Sequence, residues 1–230
     1  MIVSPMAIWL LCNCVLLMVA YCLGSLPTGY LLGKGLQGID IREHGSKSTG
    51  ATNVLRTLGK GPGLITLAVD VLKGAGAIAL TYQAYANRAF LNQAPDTITT
   101  ATWLSWLVIL AALMAILGHS KSVWLNFTGG KSVATGLGVL LMMNWSVGLA
   151  ALGIFALVLS VSRIVSLSSI SAAIALPILM IAGHQPWAYA LFGITAGIYV
   201  VWRHWANIQR LWAGTEPRLG QKKSISTDMS

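Results

Sequence analysis

Four short stretches rich in small, hydroxylic and cationic residues interrupt an otherwise apolar sequence, and each carries side chains suited to an anion. The central one is Gly118–Gly136, GHSKSVWLNFTGGKSVATG. Polar groups flanked by bilayer-type sequence are costly unless they are paired or used. Gly129-Gly130 allows a turn that aims backbone N–H groups at an anion, and Lys131 adds a point charge. The reading is a phosphate site. A second stretch, Gly45–Arg56 (GSKSTGATNVLR), offers close backbone approach at Gly45 and Gly50. Ser46, Ser48, Thr52 and Asn53 supply hydrogen bonds there, and Arg56 a bidentate fork for phosphate or carboxylate. Both stretches contain Gly-x-Lys-Ser or Gly-Gly-Lys-Ser, as two phosphate cradles would. The third, Arg203–Arg210 (RHWANIQR), sets His204 and Asn207 three apart on a helix, with Arg203 and Arg210 beside them. The fourth, Arg163–Ser169 (RIVSLSS), is a cation followed by hydroxyls, among them Ser166.

Plainer readings stand beside these. Cytoplasmic loops are often only solvated, and Arg203 and Arg210 suit contact with lipid head groups. A structural hydrogen bond suits His119 as well as a chemical role does. Asp70 and Lys73, three apart on one helical face, read as a buried neutralising pair. Several familiar chemistries are excluded. The upstream glycine of a nucleotide-binding P-loop would fall at residue 125, which is Leu125. No Asp follows any histidine by five residues: those positions hold Thr49, Trp124, Tyr189 and Gln209. The His-x4-Asp acyltransferase pattern is therefore absent. There is no HExxH and no acidic cluster, so neither a metal nor a cofactor is expected. Cys12, Cys14 and Cys22 all lie in the first apolar segment and read as small apolar residues.

The elements that must position these groups are membrane helices. Of 230 residues, 56% are hydrophobic and 9% charged, against about 25% charged in soluble domains. The fold class is all-α, a polytopic integral membrane protein. The net charge of +9 reflects positive-inside loops and anionic ligands rather than nucleic acid. Spans are expected at 5–26, 62–86, 101–117, 166–183 and 186–202. Residues 133–161 are either one helix of ~44 Å, against a ~30 Å hydrocarbon core, or two arms around Asn144. The positive-inside rule favours two arms, because they keep Arg163 inside. The result is seven spans, N-terminus outside and C-terminus cytoplasmic, with only Arg88 of the 15 Lys and Arg on the outer side. Residues 1–216 form a single domain, and 217–230 a polar cytoplasmic tail. Six tryptophans (103, 106, 124, 145, 187 and 202) fall near span ends, as an aromatic belt requires.

Taken together, the four stretches resemble the PlsY family of bacterial glycerol-3-phosphate acyltransferases that use acyl-phosphate. The likeness runs from about Gly24 to Glu216. Gly45–Arg56 resembles the family's GSGNxGATNxxR, with Lys47 and Ser48 where Gly and Asn are usual. GHSKSVWLNFTGGKSVAT resembles its glycine-rich GH…GGKxVAT motif. Arg163–Ser169 and Arg203–Glu216 resemble its RxVSL and RHxxNIxRLxxGxE stretches. The resemblance implies acyl transfer from acyl-phosphate to glycerol-3-phosphate, giving 1-acyl-glycerol-3-phosphate and phosphate in the inner (plasma) membrane. It implies that Ser46 and Arg56 bind one of the phosphorylated substrates, and that Lys131 neutralises phosphate. Ser166, His204 and Asn207 would complete the catalytic pocket. Gly50, Thr52, Asn53, His119, Gly129, Gly130 and Arg203 are expected on the substrate. A substrate phosphate oxygen or His204 takes the hydroxyl proton. Gly136, Gly138 and Gly148 are expected to leave room for the acyl tail. The competing reading is a carrier for a small organic anion, which would need a site near the midplane.

Overall fold

A computed structural model describes residues 4–221. Among them there is no strand, only an isolated bridge between Ser122 and Thr128. Helix α1, Pro5–Ser25, starts with Pro5 in its first turn and Ser4 as cap, whose Oγ accepts from the Ala7 N–H at 3.2 Å. It stops where Pro27 removes a donor. The chain resumes as α2, Thr28–Gln37, which ends on Gly38 in the left-handed conformation (φ 68°). The polar stretch between the expected spans 5–26 and 62–86 is partly helical, because α3, Ala51–Leu58, also forms within it. Then come α4 (Lys60–Ala86), the single turn α5 (Arg88–Leu91) and α6 (Thr100–Ser120). After the central loop follow α7 (Val133–Met143), α8 (Trp145–Ser162), α9 (Val165–Ala182), α10 (Trp187–Arg203) and α11 (Trp205–Trp212).

The segment 133–161 is broken at Asn144. Its side chain accepts from the Val147 N–H at 3.1 Å and caps α8. Five stretches are long and apolar enough to cross a membrane: α1 with α2, α4, α6, α8 and α9. Helix α10 has 17 residues and α7 only 11. At 1.5 Å per residue, α7 is about 16 Å long, roughly half the hydrocarbon core. The tail expected from residue 217 begins with Pro217 and Leu219 folded back onto the helix ends, and residues 222–230 lie outside those described.

Small residues let the helices approach closely, as in membrane bundles where lipid supplies no hydrophobic contrast. A Cβ on Gly24 would stand 2.1 Å from the Ala115 carbonyl oxygen, which ties α1 to α6. One on Gly138 would stand 1.9 Å from the Val71 oxygen, which ties α7 to α4. The interior holds Val108, Ala111, Ala112, Ala115 and Phe192, while Leu72, Val161, Ile178 and Ile198 cover the outer surface. This corrects the glycine expectation. Gly138 and Gly148 are packed against backbone, and only Gly136 has open space beside it. Gly138→Ala should therefore cost about 1–3 kcal/mol of stability by overpacking, and Gly136→Ala close to none. Thermal unfolding of the two purified variants in detergent measures the difference.

Candidate active site

The four polar stretches meet at one end of the bundle, around a cavity of about 420 Å³. Ser46, Ser48, Gly50, Thr52, Asn53 and Arg56 line it from the α2–α3 loop and α3. His119 lines it from the end of α6 and Lys131 from the central loop. Ser166 comes from α9, and His204, Asn207 and Glu216 from the α10–α11 region and beyond. Apart from Asp70, Ser132 and Ser169, the remainder of the cavity is apolar. It runs inward past Leu137, Leu140, Phe155, Leu176 and Phe192. Leu64 and Leu67 of α4 and Leu152 of α8 line it while also being exposed on the outer surface. The apolar part therefore opens sideways, toward the lipid-facing surface.

Glu216 organises the polar end. Its Oε1 accepts from Ser166 Oγ and from Asn207 Nδ2, each at 2.7 Å, and its Oε2 accepts from Arg210 Nε at 2.7 Å. Asn207 Oδ1 in turn accepts from Lys131 Nζ. A lysine from the central loop is thus held through an amide to a carboxylate, and α9, α11 and the tail converge on that carboxylate. Burial raises the Glu216 carboxyl, but hydrogen bonds from Asn207, Ser166 and Arg210 outweigh it and hold the group below its ordinary value. Burial pushes the Lys131 ammonium down to about 8, against the pull of Glu216 and with help from Arg210, Arg203 and Arg56. It remains charged at neutral pH. Burial, followed by the Lys131 charge, pushes the His204 imidazole down to about 4, so it is neutral. Its Nδ1 lies 2.7 Å from the Val200 carbonyl oxygen. A carbonyl only accepts, so Nδ1 carries the hydrogen and Nε2 is left as an acceptor.

The structure separates lining from support. Asn53 is buried with its polar atoms engaged: Nδ2 donates to the carbonyls of Ile41, His44 and Ser48, and Oδ1 accepts from the Ser46 N–H at 2.8 Å. It shapes the loop and has no group left for a substrate. Gly45 (φ 57°) is required there, since a Cβ would stand 2.3 Å from Asn53 Oδ1. Gly129, Gly130 and Arg203 do not line the cavity. The Gly130 N–H donates to the His119 carbonyl at 3.1 Å, and the Gly130 carbonyl accepts from Arg203 Nη2 at 2.9 Å. The Gly-Gly pair is thus a close-packed turn that delivers Lys131, with the Gly130 N–H taken up inside the turn. Arg56 reaches the cavity and touches the Pro217 carbonyl at 3.3 Å.

The sequence of this chain is matched over residues 14–214 by the model of a family described as glycerol-3-phosphate acyltransferase. The glycerol-3-phosphate acyltransferase of Acaryochloris marina is 79% identical over 97% of this chain and 99% of its own length. That of a Nostoc species is 60% identical over 98% of this chain and all of its own. The chain belongs to the glycerol-3-phosphate acyltransferase family. A crystal structure of PlsY, an integral membrane glycerol 3-phosphate acyltransferase in its glycerol 3-phosphate form, superposes with a TM-score of 0.79. It is 32% identical and covers 91% of this chain and 96% of that one. The lysophosphatidic acid form of the same protein gives 0.76. This chain is accordingly a multi-pass membrane acyltransferase of phospholipid biosynthesis.

In this acyltransferase the residue that sequence reasoning passed over is Glu216. It stood only as the end of the RHxxNIxRLxxGxE likeness. The available signal was its charge: it is one of six acidic residues in a chain with 15 cations, and it follows two arginines. Glu216→Ala should lose about 1–3 kcal/mol, as expected when the buried Ser166 and Asn207 donors lose their acceptor, since Arg210 is half-exposed and can turn to water. The carboxyl is lowered on folding, so the stability it gives is present above its unfolded value near pH 4.5. That stability is lost as pH falls through the lower folded value. Glu216→Gln should remove this acid-sensitive part, as thermal midpoints measured between pH 3 and 7 will register.

Proposed function

We propose that this acyltransferase takes its acyl group from acyl-phosphate and passes it to glycerol-3-phosphate, releasing 1-acyl-glycerol-3-phosphate and inorganic phosphate. The observation that carries this reading is the two-ended cavity. Its polar end gathers Arg56, Lys131 and neutral His204 with hydroxyls, while its other end is a leucine-lined arm open toward lipid. A phosphorylated head and an acyl tail need those two environments in one continuous space. The PlsY crystal structures carry glycerol 3-phosphate in one form and lysophosphatidic acid in the other, which supports the acceptor and the product.

The glycerol hydroxyl oxygen attacks the acyl carbonyl carbon. The bond from that carbon to the phosphate oxygen breaks, and phosphate leaves with the electron pair. Two phosphates must come close together, and Arg56 and Lys131 offset that repulsion. Ser46, Thr52 and the first N–H groups of α3 suit one phosphate. Ser166 and Asn207 hold the far wall. The hydroxyl proton passes to a phosphate oxygen, with His204 Nε2 as the alternative acceptor. The acyl chain lies in the apolar arm beside Gly136. In this reading 1–216 form a single seven-span domain in the inner (plasma) membrane, N-terminus outside. The C-terminus and the active site face the cytoplasm, where the cationic loops collect.

Wild-type protein given palmitoyl phosphate and glycerol-3-phosphate should release phosphate and form lysophosphatidate in equal amounts. Folded Lys131→Ala should form neither, and product from palmitoyl-CoA alone would sink the donor assignment. Lys131 is charged below about pH 8 and neutral above it, so KM for glycerol-3-phosphate should climb as pH rises through that value. His204→Gln separates the proton acceptors. Activity within about tenfold of wild type leaves the phosphate oxygen, whereas a loss of 10²–10⁴-fold would assign the step to the imidazole.

A further inference from the structure

Beside the Gly129–Lys131 turn lie three titratable side chains with no part in the chemistry above, two of which, Asp70 and His119, reach the cavity wall. Asp70 and Lys73 of α4 are among the most buried charged groups in the chain, at 2% and 3% side-chain exposure, and His119 of α6 is at 5%. Lys73 Nζ lies 2.8 Å from Asp70 Oδ1 and donates to the Leu26 carbonyl at 2.8 Å, at the break between α1 and α2. The same Asp70 oxygen lies 3.5 Å from His119 Nδ1. The opposite edge of the imidazole is against Gly130, where a Cβ would stand 2.0 Å from Nε2. Gly130 cannot move toward His119, and its N–H and carbonyl are held by the His119 carbonyl and Arg203. Ser132, next but one, donates from Oγ to the Ile116 carbonyl at 2.7 Å. Lys131 is the residue between these two fixed points.

A buried pair of charges needs no partner histidine to be neutral, and lipid-embedded charges are costly enough to require a use. The close fit of the ring against Gly130 makes it a spacer between Asp70 and the turn. We propose that Asp70, Lys73 and His119 form a buried brace that sets the place of Lys131 through the contact of the His119 ring with Gly130. They are positioning residues for the acyl transfer. The inference rests on the reading that Lys131 neutralises a substrate phosphate. Displacement of such a group by about 1 Å is enough to cost about a hundredfold in rate.

The test uses the full chain in detergent or lipid, assayed with palmitoyl phosphate and glycerol-3-phosphate. Asp70→Asn with Lys73→Met removes the carboxylate without stranding a buried charge. His119→Asn removes the spacer alone. Each folded variant should raise KM for glycerol-3-phosphate or lower kcat by about tenfold or more. Each should also move the alkaline limb of the rate profile upward from near pH 8, because a freed Lys131 gains water. The triple variant should be no worse than the poorer of the two, as expected for members of one unit. Lys131→Ala is run beside them. An inactive Lys131→Ala with wild-type kinetics and pH profile in both brace variants overturns the brace alone. An active Lys131→Ala overturns the phosphate role of Lys131, and the brace with it. Brace variants that cannot fold, or effects that multiply in the triple variant, also overturn the proposal.

Discussion

One carboxylate in a cationic neighbourhood holds the polar end together. Glu216 accepts hydrogen bonds from Ser166, Asn207 and Arg210, which lie on α9 and α11. Through Asn207 it reaches Lys131 in the loop between α6 and α7. Without it, Lys131, Arg56, Arg203 and Arg210 would repel one another across a poorly hydrated space, where charge interactions are less screened than in water. One full negative charge, shared among three donors, lets several positive groups stay near a site that must accept more negative charge. The arrangement also leaves Lys131 under-compensated, since it meets an amide oxygen rather than the carboxylate itself. A lysine neutralised outright by Glu216 would have less attraction left for an anion.

The same economy appears in the helices. Glycine contacts at Gly24 and Gly138 pull α1 onto α6 and α7 onto α4, so the bundle is tight along those seams. Helices α4, α8, α9 and α10 all contribute side chains to the cavity, and α9 packs against both α8 and α10 beside it. The break at Asn144 separates the short α7 from the longer α8, and their side chains, Leu137 and Leu140 on one and Leu152 and Phe155 on the other, share the apolar wall. Tight seams elsewhere make a stable gap possible here, since a membrane bundle gains little from hydrophobic contrast and depends on close contact.

Much of this was legible in the sequence. The four polar stretches could be found by composition, and they do converge. The break at Asn144 followed from keeping Arg163 on the same side as the other cations. The division of labour within each stretch was not legible. Asn53 and Ser46 are neighbours in one motif, yet the first has its polar atoms taken up by loop backbone. Gly129 and Gly130 read as an anion cradle because glycine permits one, and spacing gave no hint that both pack against His119, ten and eleven residues away. No Asp follows a histidine by five residues, while folding brings Asp70 to His119 from 49 positions away. Side-chain direction is decided by packing partners, and motif spacing carries little of that information.

The sideways opening beside Leu64, Leu67 and Leu152 has a consequence for how such a catalyst meets its substrates. A molecule with an acyl chain can slide in from the bilayer without its tail ever crossing water, while a small phosphorylated partner arrives from solution at the polar end. The two encounters obey different dimensions. One depends on how many donor molecules occupy each patch of membrane, the other on ordinary concentration. Turnover then becomes a property of the surface as much as of the protein, and a cell can throttle it by diluting one lipid among others.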